Sequence, residues 1–357
     1  MTTPFTQRPI LIIDGMNAFL RFVLANTATS TSGEFVGGVV GVVKFIEDMT
    51  TQFMPSKVFF VWEKGGGSAR RKKLYPEYKA NRTTHGAKDV NSLKATMKKA
   101  VEVDVEKKES SSDSSNTLFL RQTIDERDKI RQLLLLTTAI KHLPVCQVYQ
   151  GDSEGDDVIA YLAKNKLASE PAKKIVISSD NDFYQLITSE DNVLVYDARF
   201  KKLINNESVK QKYGVSGRNF CMARIAAGDN SDNISGIPGV GMKTMAKRFP
   251  CLLSDEEDVT VEQILSEAKT ASEGKKPPKC FQGLLEGEDI LRRNWELMYL
   301  GTNCLSASQI AKIDYIVESF SPKFNKIAFM RELIAAGISV PATFDRFVYN
   351  MHALMGV

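Results

Sequence analysis

Five short apolar runs constrain this chain more than any other feature: Pro9–Ile13, Lys57–Trp62, Cys146–Tyr149, Lys174–Ser178 and Val193–Tyr196. Each has the length of a strand rather than a helix, and most are rich in Ile, Val and Phe, so they read as strands buried on both faces. Between them lies text of helical period. Gly37–Phe53 carries Val39, Val40, Val43, Phe45 and Ile46 on one side, and Arg121–His142 carries Ile130, Leu133, Leu134 and Ile140. Strands alternating with helices predict the α/β class, with a mostly parallel central sheet covered by helices. A chain of 357 residues, 43% of them hydrophobic, is long enough to bury such a core.

The runs share a second property: acids gather just past their carboxyl ends. Asp14 follows the first and Glu63 the second; Glu154, Asp156 and Asp157 follow the third, and Asp180 and Asp182 the fourth. Open α/β sheets build their sites at that edge, so these carboxylates are expected to converge. Asp229 and Asp232 join them, their spacing of three placing both on one side of a helical turn. Taken singly, each acid reads as a helix cap or a solvated side chain; the recurrence is what points to a site. Two like charges about 4 Å apart repel by about 4 kcal/mol at an effective dielectric near 20, so the cluster calls for cations. An all-oxygen donor set favours Mg2+, with Mn2+ able to substitute, over zinc. Two such ions about 3.5–4 Å apart suit phosphodiester hydrolysis.

Past Asp232 the chain reads Gly236-Ile-Pro-Gly-Val-Gly241, then opens a helix near Met242 that carries Lys243, Lys247 and Arg248. Gly236, Gly239 and Gly241 leave main-chain groups uncovered, and with these cations they form a sequence-independent grip for a phosphate chain. A second basic stretch, Arg70, Arg71, Lys72, Lys73, Lys79, Arg82 and Lys88, is interleaved with Tyr75 and Tyr78. The bland reading is a solvated basic face; beside a metal site it suits a single-stranded phosphate path with aromatic stacking platforms. Net charge is only +4, so the distribution of charge, not its total, bears on nucleic acid. Five scattered cysteines and three isolated histidines argue against a zinc cluster or a disulfide framework. The start lacks a signal-peptide pattern and no apolar run reaches bilayer-spanning length, so a soluble, cytoplasmic protein away from membranes is expected.

These stretches resemble the 5′-nucleases, the family of flap endonucleases and 5′-3′ exonucleases that includes the phage enzymes called RNase H. The order of elements is most similar to the T-even phage group. Asp14-Gly15 matches the family's Asp-Gly turn after the first strand, and Glu154-Gly155-Asp156-Asp157 its Glu-Ala-Asp-Asp. Asp180-Asn181-Asp182 matches its Asp-x-Asp, Gly228–Asn233 its Gly-Asp-x-x-Asp-Asn, and Leu74–Arg82 its Pro-Glu-Tyr-Lys-x-Asn-Arg segment. Glu63 stands where relatives usually carry Asp.

The resemblance implies a PIN-like core over 1–205 with a helical arch inserted at about 64–125. It also implies a helical region over 206–357 containing a helix–three-turn–helix DNA-binding element at about 222–250. It implies that Lys79 and Arg82 contact the reacting phosphate, that Tyr78 stacks on a base, and that main-chain oxygens of the glycine turn take K+. The implied activity is metal-dependent hydrolysis near 5′ ends of flapped or nicked DNA and of RNA–DNA hybrids, for flap trimming and primer removal in replication. The implied state is a monomer, with a single-stranded-DNA-binding protein or sliding clamp as partners. Two rival readings stay open on the residues alone: a DNA-structure-binding protein that no longer cleaves, and a PIN-like toxin ribonuclease.

Overall fold

The computed structural model describes residues 7–83, 125–187, 192–274, 278–339 and 343–356, with the backbone alone at 82 and 83. Its main sheet contains β1 (Ile10–Asp14), β2 (Lys57–Glu63), β3 (Cys146–Gln150), β4 (Lys174–Ile177), β5 (Val193–Asp197) and β6 (Lys202–Ile204). The strand order is β3-β2-β1-β4-β5-β6. The first five strands are parallel and β6 alone is antiparallel, against β5. All five expected strands are present, and the α/β class is as the apolar runs require. The sixth, Lys-Leu-Ile, is too short to show alternation in the sequence.

Ile12 pairs with Phe59 on one side and Val176 on the other, so β1 sits inside the sheet and both its faces need cover. Leu11, Ile13, Phe60, Trp62, Ile175 and Ile177 pack into one core, and Ile10, Ile12, Phe59, Val61, Val176 and Val195 into another. That alternation explains why the strands read as unbroken apolar runs. On the first face lie α1 (Gly15–Ala25) and α2 (Gly37–Phe53); after a short α3 (Ala69–Leu74), α4 (Glu126–Ile140) joins them. Within α4 the inward residues are Leu133, Leu136 and Ile140, while the expected Leu134 is only half-buried. Gln132, also buried, fixes the start of α2 by accepting a hydrogen bond from the Gly38 amide at 2.7 Å.

The opposite face is covered by α5 (Gly155–Tyr161), α6 (Asn206–Tyr213), α7 (Phe220–Ala227), α8 (Met242–Arg248), α9 (Val261–Ser272), α10 (Lys279–Glu286), α11 (Glu288–Met298) and α12 (Ala307–Ser319). Then α13 (Lys326–Ala335) and α14 (Phe344–Leu354) return to the first face. The chain after Ile204 thus sheathes both sides of the sheet. No helix among the described residues is long and apolar enough to cross a membrane.

Between α7 and α8 the backbone makes a two-residue antiparallel pair, β7 (Gly228–Asp229) with β8 (Ile234–Ser235), around a 3₁₀ turn at Asn230–Asp232. The expectation that Asp229 and Asp232 share one helical turn is therefore corrected. Gly228 has φ +74 and ends α7, so Asp229 leaves the helix in an extended conformation. A Cβ on Gly228 would lie 2.3 Å from the Gly236 amide nitrogen, and one on Gly236 would lie 2.3 Å from the Ala227 carbonyl oxygen. Only glycine at both positions lets the two backbones cross so closely.

Candidate active site

The carboxyl ends of β1 and β4 aim Asp14 and Asp180 at the same edge of the sheet, and local hydrogen bonds fix how each points. Asp14 Oδ1 accepts from the Asn17 amide at 2.9 Å and starts α1, while its Oδ2 accepts from Ser178 Oγ at 3.1 Å. Asp180 Oδ1 accepts from the Asp182 amide at 2.9 Å. Asp229 Oδ1 accepts from the Ser231 amide and hydroxyl at 2.8 and 2.7 Å. Each acid is a cap as well as a candidate ligand. Capping one oxygen orients the other, so the two readings of these residues support each other.

The electrostatics show how tightly the set is packed. Burial raises the Asp14 carboxyl to about 6, with Asp180 and Glu63 adding to the rise. Asp182 is raised to about 7, by burial first, then by Asp180 and Asp229, with Arg224 opposing. Asp156 lies well above the carboxylate range because of burial and the nearby Asp180, Asp14 and Glu154. Asp180 reaches the surface, yet desolvation by the protein around it raises it too, and Asp232 and Asp229 add to the effect. Acids from five separate stretches therefore repel one another across one recess, and Asp180 is common to both halves of it.

Cations and a phenol are woven into this recess. Lys79 Nζ donates to both oxygens of Glu154 at 2.8 Å and lies 3.6 Å from Asp232. Arg224 bridges Asp182 at 3.2 Å and Asp229 at 2.9 Å. The Tyr78 hydroxyl lies 3.0 Å from Glu154 and 3.1 Å from Asp232. The segment bearing Tyr78 and Lys79 is laced to the 3₁₀ turn after β7. The Lys79 amide donates to the Asp232 carbonyl at 2.8 Å, Asn81 to that of Asn230 at 2.7 Å, and Asn233 to that of Glu77 at 2.8 Å. Lys79 holds φ +57 to do this, a left-handed conformation that costs a non-glycine residue about 1–3 kcal/mol.

Among the described residues, no three carboxylate, imidazole or thiol groups are arranged to hold a metal ion as they stand. The donor chemistry nevertheless fits hard divalent cations: every group is an oxygen donor, and binding a dication would relieve the repulsion that raises these carboxyls. As placed, Lys79 and Arg224 offset part of that repulsion.

The recess brings together Asp14, Glu63, Glu154, Asp156, Asp180, Asp182, Asp229, Asp232 and Lys79. Three expectations are corrected. Asp157 does not face the recess: both its oxygens take the Arg71 guanidinium, at 2.7 and 2.8 Å. Arg71, expected on a nucleic-acid surface, is 3% exposed. Four successive cations on a six-residue helix must point around most of its circumference, so one of them has to face inward. Tyr78 is 2% exposed, so its ring is not available to stack on a base, and its hydroxyl serves the carboxylates instead. The side chain of Arg82, Lys88 and most of the expected arch insertion lie outside the described residues.

Of the remaining basic residues, Lys72 and Lys73 are exposed, while Arg70 is half-buried with Nη1 3.5 Å from Cys304 Sγ. In the glycine turn, Ile237 and Val240 are buried and anchor it, whereas Gly239 and Gly241 are exposed. Lys243, Lys247 and Arg248 on α8 all face solvent. Arg224 escaped the sequence reading, although a lone cation in the otherwise apolar Phe220–Ala227 is a signal that could have found it.

Comparison with known proteins places the chain among nucleases. Residues 9–214 match the family model described as the 5'-3' exonuclease, N-terminal resolvase-like domain. A 5'-3' exonuclease of Buchnera aphidicola subsp. Acyrthosiphon pisum is 24% identical over 239 residues, 67% of this chain and 68% of the relative. The flap endonuclease Xni of Shewanella woodyi is 26% identical over 278 residues, covering 77% of this chain and 91% of the relative. Among solved structures, the T5 5'-exonuclease with bound zinc superposes with a TM-score of 0.58 at 19% identity, covering 92% of this chain and 98% of that one. The bacteriophage T5 flap endonuclease in a pseudo-enzyme–product complex with DNA and metal ions gives 0.59 at 20% identity, covering 92% and 99%. The structural likeness shows the fold; the family match covers more than half of the chain.

Proposed function

This chain belongs to the 5′-3′ exonuclease family and is a nuclease, and we propose that it hydrolyses phosphodiesters close to the 5′ ends of flapped or nicked DNA and of RNA–DNA hybrids, with Mg2+ or Mn2+. The observation that carries this reading is the recess itself. Burial first, and then repulsion by neighbouring acids, raises the carboxyls of Asp14, Asp156, Asp180 and Asp182, which three separate stretches of chain bring to the strand ends. The flap endonuclease named among the relatives, and the T5 enzyme described with DNA and metal ions, support it.

In this reading Asp14, Glu63, Glu154 and Asp156 share one side of the recess and Asp182 and Asp229 the other, with Asp180 common to both and Asp232 joined to Glu154 through Tyr78 and Lys79. Divalent ions held there would supply Lewis acidity toward the phosphate and activate water. Lys79, fixed by its backbone bond to Asp232 and its contact with Glu154, supplies positive charge toward a phosphate as it gains negative charge in the reaction. Arg224 orients Asp182 and Asp229. The exposed glycine turn with Lys243, Lys247 and Arg248 holds the adjoining duplex by its backbone. A K+ ion on main-chain oxygens of that turn, action as a monomer, and work beside a single-stranded-DNA-binding protein or clamp in primer removal belong to the same reading.

A 5′-labelled flap on a nicked duplex, incubated with Mg2+ or with chelator, tests it. Cleavage near the branch only when metal is present is the expected result. Binding without cleavage in either Mg2+ or Mn2+ would sink the nuclease reading in favour of a DNA-structure binder. Cleavage confined to single-stranded RNA would move the chain to the toxin class.

A further inference from the structure

We propose that Arg71 is a positioning residue of this nuclease site, and that Asp157 serves as its counter-charge rather than standing among the metal ligands. The inference rests on the nuclease reading above and assigns two of its residues. The Arg71 guanidinium is a fork with both prongs engaged: Nη1 donates to Asp157 Oδ2 at 2.8 Å and Nη2 to Oδ1 at 2.7 Å. Nη1 also lies 3.5 Å from Glu154 Oε2. On its remaining side, Nε donates to the Leu297 carbonyl at 2.7 Å, in the last turn of α11. One buried side chain thus ties α3, the acid-bearing start of α5 and the end of α11.

Two consequences follow from this geometry. With both Asp157 oxygens engaged by a fork inside the protein, an ion could reach them only by breaking a charge-assisted bidentate pair. Glu154, by contrast, receives three groups from a single stretch of chain: the Arg71 guanidinium, the Tyr78 hydroxyl and the Lys79 ammonium. Where that carboxylate points is therefore set by residues 71–79, the same stretch that carries Lys79 into the recess. Arg71 reaches no substrate, since it is enclosed. Its effect on the reaction passes through Glu154. A lysine would restore the charge without the planar fork, and this separates positioning from simple neutralisation.

The full-length chain can be tested in three variants: Asp157→Asn, Arg71→Lys, and the double variant Arg71→Met with Asp157→Leu. Each is read by Mn2+ calorimetry, by flap affinity in Ca2+ and by kcat and KM for flap cleavage. Asp157→Asn is expected to bind as many Mn2+ ions as the wild type. Arg71→Lys is expected to bind Mn2+ more weakly and to lose roughly 10- to 100-fold in kcat, the usual cost of disturbing a residue that orients a metal ligand, with flap affinity and KM within about 2-fold. Replacing both members of a buried ion pair by apolar residues is generally tolerated by the fold, so the double variant reads function even if a single variant fails to fold. It should show the same fall in kcat. Loss of one bound ion in Asp157→Asn overturns the assignment, because Asp157 would then be a ligand. A folded double variant with wild-type kcat overturns it as well, because the pair would then serve only the fold. A wild-type chain that neither binds Mn2+ nor cuts the flap would instead strike at the nuclease reading.

Discussion

The recess at the strand ends and the glycine turn with α8 meet in sequence just after Asp232, but they treat charge in opposite ways. In and beside the recess the cations turn inward: Lys79 to Glu154, Arg224 to Asp182 and Asp229, Arg71 to Asp157. On α8, Lys243, Lys247 and Arg248 face solvent. A cation bonded among buried carboxylates orients them and is shielded from salt, whereas an exposed one remains available to a partner and is screened over about 10 Å. The same residue types therefore serve chemistry in one place and grip in the other, and the contrast can be broken from either side.

The largest effect is expected at Asp156, whose carboxyl is raised by burial and by Asp180, Asp14 and Glu154. Asp156→Ala should lower flap cleavage by more than the roughly 10- to 100-fold seen for changes one layer from a metal. Flap affinity in Ca2+ should stay within a few-fold, and a variant cutting at the wild-type rate would remove Asp156 from the site. Next in size is the double variant Lys243→Ala with Lys247→Ala. Each phosphate left without its lysine should flatten the slope of log affinity against log salt by roughly 0.9, so the change appears in a salt titration of flap binding. Cleavage at saturating flap falling as far as in Asp156→Ala would show that the division between chemistry and grip is wrong.

The smallest effect sharpens the contrast through pH. Asp14 near 6 and Asp182 near 7 bind protons more tightly in the folded chain than in the unfolded one, where carboxyls titrate near 3.8. Stability in chelator should therefore be gained as pH falls from 8 toward 5, and lost as pH rises through 6 to 7. Saturating Mg2+ competes with those protons and should flatten the trend. Thermal unfolding across that range, with and without Mg2+, checks both; a flat profile in chelator would mean that burial and the neighbouring acids do not raise these carboxyls.

The strands were legible because burial on both faces leaves an unbroken apolar signature, and the acids because they recur at one edge. The helix α1 was not legible: its first residues read as a turn, and a cap was only one of the readings open to the acid that starts it. Arg71 and Asp157 lie 86 residues apart. Nothing in Ala69–Leu74 says which of its successive cations turns inward, since that choice is made by α5 and α11 packing against it. Tyr78 was hidden for the same reason, because its ring reads as a stacking platform until the chain around it closes. Pairings of this kind belong to tertiary structure, and local pattern carries no record of them.

The crossing of Gly228 and Gly236 has one more consequence. It pins the turn that would clasp double-stranded DNA to the strand bearing Asp229, at a separation where even a methyl group would not fit. If the clasp and the cut work as proposed, the offset between them is a fixed ruler made of main chain, and fragment length would be dictated by that ruler. Alanine at either position must push the two backbones apart, and in a chain that still folds it should scatter the lengths of the released pieces before it slows their release.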